Sequence, residues 1–262
     1  MPTLLITNDD GIDSPFLKPM VEQLSALGAV RVAVPAGEQS WKSKAITRHG
    51  RLTVQAREEL GVPTFAVQGT PADCVNLGLH HLFDGRPDWV ISGINIGHNV
   101  GAGLVINSGT VGAALEGALC GAPAVAFSTF VTRELYQGWI TQRRFEGAQG
   151  PEILASTTRR MAGMLRTLLA CGLPPGAMLL NINFPGIVDA HTPVRWAPLQ
   201  DHRYGSLFAR EGDGFVHRFA GLLQVQPGGA SDLDVVRGGA ISVTALSLAG
   251  LSLPPPAEGF EL

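Results

Sequence analysis

The stretch LLITNDDGIDSPFLKPMVEQLSALGAVRVAV, residues 4–34, reads as a buried strand, an oxygen-rich loop, an amphipathic helix and a second buried strand. Leu4, Leu5 and Ile6 run without a polar break up to Thr7, and residues 30–34 repeat the pattern expected of strands covered on both faces. Between them Leu17, Met20, Val21, Leu24 and Leu27 share one helical face over residues 16–27, and Gly28 supplies a stop. Pro19 falls inside the first turns, where it is expected to kink or delay the helix. Strand, crossover helix and strand of these lengths predict a βαβ unit and a mostly parallel sheet with flanking helices, an α/β fold.

The alternation continues downstream. Residues 64–67 predict a strand running into Thr70-Pro71-Ala72-Asp73, where Thr70 suits an N-cap, Pro71 the first helical position and Asp73 the positive helix end. Residues 89–92 and 124–127 predict further buried strands. Ser108 predicts the cap of a helix carrying Val111, Ala114, Leu115, Ala118 and Leu119, which stops at Gly121-Ala122-Pro123. A long amphipathic helix is expected over residues 151–170, closed by Gly172 and Pro174-Pro175, with a strand over residues 178–182. Past Pro185 the texture changes: residues 194–197, 206–209, 215–219 and 240–246 predict strands joined by Gly-rich turns, with Asp213-Gly214 as a hairpin turn. The expected organisation is an α/β core over residues 1–185 and an antiparallel C-terminal arm over residues 186–262, in one domain unit. Leu253-Pro254-Pro255-Pro256 is unable to continue a helix or a central strand.

Composition narrows the classes. The chain has 262 residues, 45% hydrophobic and 16% charged, which excludes disorder. It carries no apolar run near the roughly 18 residues of a membrane span. A formal charge of −3 argues against a surface for nucleic-acid polymers. Asn8-Asp9-Asp10 interrupts the first apolar stretch, so no signal-peptide core is expected there. Cys74, Cys120 and Cys171, odd in number and far apart, predict buried free thiols and a cytoplasmic protein.

Four segments carry chemistry, and three or four of them leave carboxyl ends of predicted strands, where open α/β sheets bind ligands. Asn8-Asp9-Asp10-Gly11 offers two adjacent carboxylates that act together only if the chain turns sharply, which Gly11 permits. Gln39-Ser40 and Ser43 add hydroxyls after the second strand. The Gly-rich run from Ser92 to Gly103 supplies Asn95, Asn99 and bare N–H groups; His98 within it reads as an ordinary loop side chain. Asn107-Ser108-Gly109-Thr110 opens a helix whose positive end suits phosphate, and Glu116 beyond it reads as an exposed or paired side chain. Each alone also reads plainly, as a solvated Asp-Gly turn, a flexible connection or a simple N-cap. Together they suit a phosphate bridged to a hard metal ion. No Cys/His cluster points to zinc, no Gly-x-Ser-x-Gly to a serine hydrolase, and the Gly-x-Gly-x-x-Gly spacing of a nicotinamide enzyme is missing after the strand.

These motifs resemble the SurE (stationary-phase survival protein) 5′/3′-nucleotidases. The likeness rests on Leu5-Ile6-Thr7-Asn8-Asp9-Asp10-Gly11-Ile12, Gln39-Ser40, Gly69-Thr70-Pro71-Ala72-Asp73, Ser92-Gly93-Ile94-Asn95-Ile96-Gly97-His98-Asn99 and Ser108-Gly109-Thr110-Val111-Gly112. Asn181-Ile182-Asn183-Phe184-Pro185 and Ser231-Asp232 are weaker echoes. The resemblance implies a Rossmann-like core and a divalent-metal phosphatase acting on nucleoside 5′- and 3′-monophosphates. It implies one Mg²⁺ or Mn²⁺ per subunit held by Asp9, Asp10, Ser40 and Asn95, with Asp9 and Asp10 catalytic. Ser108, Gly109, Thr110 and Asn99 would take the phosphate, and the arm would join a homodimer or homotetramer. Two positions depart from the pattern: Trp41 stands where Gly usually follows Gln-Ser, and Asn107 where Tyr usually precedes Ser-Gly-Thr. A loop needing positive φ at Trp41 would be strained or reshaped. A non-catalytic nucleotide-binding protein on the same fold is the competing reading.

Overall fold

The computed structural model describes residues 1–145, 147–224 and 231–251; residues 253–256, read above as a Pro-rich tail, lie outside them. In chain order the first half holds β1 (Thr3–Thr7), α1 (Leu17–Leu24), β2 (Ala29–Pro35), β3 (Val54–Arg57), β4 (Thr64–Val67), α2 (Pro71–His80) and β5 (Trp89–Ile96). Then follow α3 (Gly101–Asn107), α4 (Gly109–Leu119), β6 (Ala124–Thr129), α5 (Arg133–Gln142), α6 (Gln149–Cys171) and β7 (Leu179–Phe184). The rest comprises β8 (Val194–Trp196), β9 (His202–Arg203), β10 (Phe208–Glu211), β11 (Gly214–His217), β12 (Leu223–Gln224), α7 (Asp232–Arg237) and β13 (Ile241–Leu246).

Among the described residues nine strands form one sheet in the order β3-β4-β2-β1-β5-β6-β7-β13-β8. From β4 to β7 the pairs are parallel, while β3 on β4 and β13 on β7 are antiparallel. Alternation along β1 explains the layers. Leu4 and Ile6 face a cluster with Leu17, Met20, Val21 and Leu24 of α1 and Met161 and Leu165 of α6. Leu5 faces the opposite cluster with Cys74, Val75 and Leu79 of α2 and Val111, Ala113 and Ala114 of α4. Successive connections run one way from β1 to β2 and β4, and the other way through β5, β6 and β7. The sheet therefore has its switch point beside β1.

Local chemistry sets the helix starts. Thr70 accepts from the Asp73 backbone N–H at 3.1 Å while Asp73 accepts from the Thr70 N–H at 2.8 Å, a complete capping box ahead of Pro71. Pro19 is the third residue of α1, where its missing N–H would have no helical partner, so the helix runs through it.

Several expectations need correction. β5 continues through Gly93 to Ile96, so the first part of the expected Gly-rich loop is strand, and α3 follows soon after it. The hairpin β10–β11 pairs Glu211 with Gly214, which puts Gly212-Asp213 rather than Asp213-Gly214 at its tip. β8 and β13 both lie beyond residue 185 yet complete the main sheet; among the described residues only the pairs β10–β11 and β9–β12 stand apart from it. The three cysteines are free, but only Cys74 is buried, whereas Cys171 at the end of α6 is exposed. Among the described residues no helix is long and apolar enough to cross a membrane.

Candidate active site

Asn8 makes the turn that the paired aspartates require. Its Oδ1 accepts from the Gly11 N–H at 2.9 Å and its Nδ2 donates to the Gly11 carbonyl at 3.0 Å, closing a tight loop at the end of β1. Gly11 has φ +88, and a Cβ on it would stand 2.8 Å from the Gly37 carbonyl carbon, so the loops after β1 and β2 touch only because it is glycine. The turn sends the two carboxylates to different neighbours. The Thr110 hydroxyl donates to Asp9 Oδ1 at 2.6 Å, and the Ile96 N–H donates to Asp10 Oδ2 at 3.1 Å. Gly109 is equally constrained, since a Cβ there would lie 2.8 Å from the Asp9 Cβ.

Both aspartates are 3% exposed. Burial pushes the Asp9 carboxyl above its ordinary value against the pull of the Thr110 hydrogen bonds. Asp10 is pushed well up, first by burial and then by Asp9 beside it. Among the described residues neither has an ion-pair partner. Two buried carboxylates with this surplus of negative charge are what a divalent cation compensates.

The loop after β2 is tied to the first by the Gln39 N–H, which donates to the Asp9 carbonyl at 2.7 Å. It brings Ser40, whose hydroxyl donates to Glu38 Oε1 at 2.9 Å; Arg143 Nη1 holds the other oxygen of Glu38 at 2.8 Å. Asn95 arrives from β5, whose pairing to β6 slips between Ser92 and Asn95. Its Nδ2 donates to the Gly97 carbonyl at 2.7 Å, which leaves Oδ1 as the end it offers. Asn99 is fixed by β6 and β7: its N–H donates to Asn183 Oδ1 at 2.7 Å and its Nδ2 to Ser128 Oγ at 2.9 Å. Ser108 caps α4, accepting from the Val111 N–H at 3.1 Å.

Asp9, Ser40, Asn95, Asn99 and Ser108 line one cavity of about 540 Å³. Asp10 is held against β5 next to it, and Gly109 and Thr110 lie behind Asp9 rather than on the wall. The sequence reading missed Glu38, Phe130, Tyr136, His217 and Phe219, which also line the cavity. Only Glu38 had a signal, its place one residue ahead of Gln39-Ser40 at a strand end. His98 lines the cavity too, 6.0 Å from the Phe130 ring, with its pKa lowered by burial and by Arg237. Glu116 is buried and paired with Lys44 Nζ at 2.6 Å. Among the described residues no three His, Cys, Asp or Glu side chains gather as a metal cluster. The donor set is two carboxylates with a neutral hydroxyl and an amide oxygen, which fits a hard cation such as Mg²⁺ or Mn²⁺ rather than zinc.

Fold and site together define an open α/β protein with an oxygen-donor centre at its switch point. The chain belongs to the family described as Survival protein SurE, whose profile matches residues 4–206. It is 38% identical over 252 residues to "5'-nucleotidase SurE 1" of Thermus thermophilus, covering 94% of this chain and 91% of that one. It is also 38% identical over 205 residues to "5'-nucleotidase SurE" of Methanocella arvoryzae, covering 78% and 74%. The crystal structure of the SurE protein from Aquifex aeolicus superposes with a TM-score of 0.74 at 27% identity, over 97% of this chain and 95% of that one.

Proposed function

We propose that this chain is a divalent-metal-dependent phosphomonoesterase that releases phosphate from nucleoside 5′- and 3′-monophosphates. The observation that carries the reading is the meeting of Asp9, Ser40 and Asn95, from three separate strand ends, in one cavity beside the start of α4, with Asp10 held against β5 next to it. The names of the curated relatives support the 5′-nucleotidase part of it.

Asp9, Asp10, Ser40 Oγ and Asn95 Oδ1 would hold one Mg²⁺ or Mn²⁺. When bound, such an ion polarises a phosphoryl oxygen and lowers the pKa of a water it carries. Ser108 and Asn99 on the cavity wall receive the phosphate at the positive end of α4, while Gly109 lets that helix start close against Asp9 and Thr110 bonds Asp9. Thr110 orients Asp9 through its 2.6 Å hydrogen bond, and Asp9, on the cavity wall, accepts the proton that the attacking water gives up. Holding phosphate and spreading its developing charge is most of what this reaction asks of a protein.

The test is phosphate release from 5′-AMP and 3′-AMP by the purified chain. Release is expected with Mn²⁺ or Mg²⁺, to vanish in EDTA and to be nearly abolished in Asp9→Asn. Full activity of Asp9→Asn would sink the proposal, and nucleotide binding without release would favour the non-catalytic reading. Self-association through the region after residue 185 is part of the same proposal. It is supported by exposure of Trp196 at 62%, Phe208 at 60% and Phe215 at 71%. Light scattering should give the mass of a dimer or tetramer, and Phe215→Asp should lower it.

A further inference from the structure

The cavity has two ends of different chemistry. One is the oxygen-donor end at Asp9, Ser40 and Asn95; the other is an aromatic wall of Trp41, His217 and Phe219. The Trp41 ring lies 5.0 Å from that of His217 and 5.4 Å from that of Phe219. Behind it the Tyr204 ring stands edge-on at 6.1 Å and 86°, and its hydroxyl accepts from Asn107 Nδ2 at 2.8 Å. Trp41 has φ 61, a region that bulky side chains rarely enter. A residue stays there only when its surroundings over-determine it. Here the fixing contacts include the Ser43 N–H to the Asn107 carbonyl at 3.0 Å and the Ser43 hydroxyl to the Ile106 carbonyl at 2.7 Å.

We propose that Trp41, backed by His217 and Phe219, is the seat for the base of the substrate and selects purine nucleotides. The inference rests on the phosphatase reading given above. Trp41 follows Ser40 directly in the chain, so the aromatic wall begins one residue from the phosphate end, a gap for a ribose to bridge. A planar base stacks on the indole face, and the larger purine face gains more from it than a pyrimidine.

The experiment compares AMP with ribose 5-phosphate, which lacks the base, on the full chain with Mn²⁺. The variant is Trp41→Gly, because glycine adopts φ 61 without strain and leaves the backbone beside Ser40 in place. A base–aromatic stack of about 1.4 kcal/mol corresponds to tenfold. The ratio of kcat/KM for AMP to that for ribose 5-phosphate should therefore fall about tenfold, through KM, and Trp41→Phe should recover most of it. An unchanged ratio overturns the proposal, including the case where both substrates suffer equally because Trp41 only straps the arm to the core. Should the wild type release phosphate from neither compound, the phosphatase reading fails by itself. The base seat is then decided by calorimetric binding of the same two compounds to the same two proteins. A loss confined to AMP supports it, and equal losses or none overturn it.

Discussion

The two ends of the cavity are built in opposite ways. The oxygen-donor end stands on the ends of buried parallel strands, and its side chains are locked: Asp9 by Thr110, Asp10 by Ile96, Asn95 by Gly97. The aromatic end is assembled from a strained loop, whose backbone is tied down at Ser43, and a hairpin outside the main sheet; its side chains meet through ring contacts. Hydrogen bonds from a rigid frame fix atoms to the tolerance that charge chemistry needs. Ring packing fixes a surface, which is enough for a flat group recognised by its face.

That contrast breaks most visibly at Asp10. Asp10→Asn should lower phosphate release at least about 100-fold, as expected when a charged group acting on the transition state is removed. Steady-state rates with saturating Mn²⁺ measure it, and a loss under tenfold would mean that the oxygen-donor end tolerates as much as the aromatic one. Next in size is Lys44→Met, since the loop bearing both Ser40 and Trp41 is pinned by the Lys44–Glu116 pair. Glu116 is 8% exposed and Lys44 27%, so the cost should be about 2 kcal/mol, below the range for a fully buried pair. Urea unfolding reads it, and both ends of the cavity should weaken together.

Trp41→Gly should change global stability by less than about 1 kcal/mol. Relief of left-handed strain, about 1–2 kcal/mol, opposes the loss of aromatic contacts of similar size. A large destabilisation in thermal melts would make the aromatic end structural. The smallest effect is expected outside both ends, at Asp232. Its carboxyl accepts from the Gly101 N–H at 2.7 Å at the start of α3, and burial pushes its pKa above the ordinary 3.8. A carboxyl whose folded pKa is raised holds its proton longer folded than unfolded, so its contribution to stability falls as pH rises from about 4 through the folded value. Asp232→Asn should flatten that decline, measured by melts at pH 5 and pH 8.

Legibility in the sequence followed the same division. Leu4 to Thr7 announces a buried strand, and Asp9 and Asp10 stand at its end because two periodic signals meet there. The Thr70–Asp73 box and the Ser108 cap were readable because a cap is a local hydrogen bond with a fixed spacing. The continuation of β5 through Gly93 to Ile96 was hidden, since glycine and asparagine carry loop propensity and only the pairing with β6 makes them strand. β3 was equally hidden, an edge strand whose Val54, Gln55 and Ala56 are exposed and so bear no apolar alternation. Trp41 stood out as unusual in its loop, yet its meeting with His217 and Phe219 depends on how the arm folds back. No spacing in the sequence encodes that.

The split of the oxygen-donor centre across the switch point also bears on how the protein is made. β1 pairs on one side with β2, close in sequence, but on the other with β5, where Leu4 meets Trp89. During synthesis the paired aspartates therefore emerge long before the strand that supplies Asn95 and the Ile96 N–H that holds Asp10. Closing so long a loop is among the later and slower steps of folding. A nascent or truncated chain that stops before β5 has carboxylates but no assembled site, so hydrolytic competence is a property of the finished sheet alone.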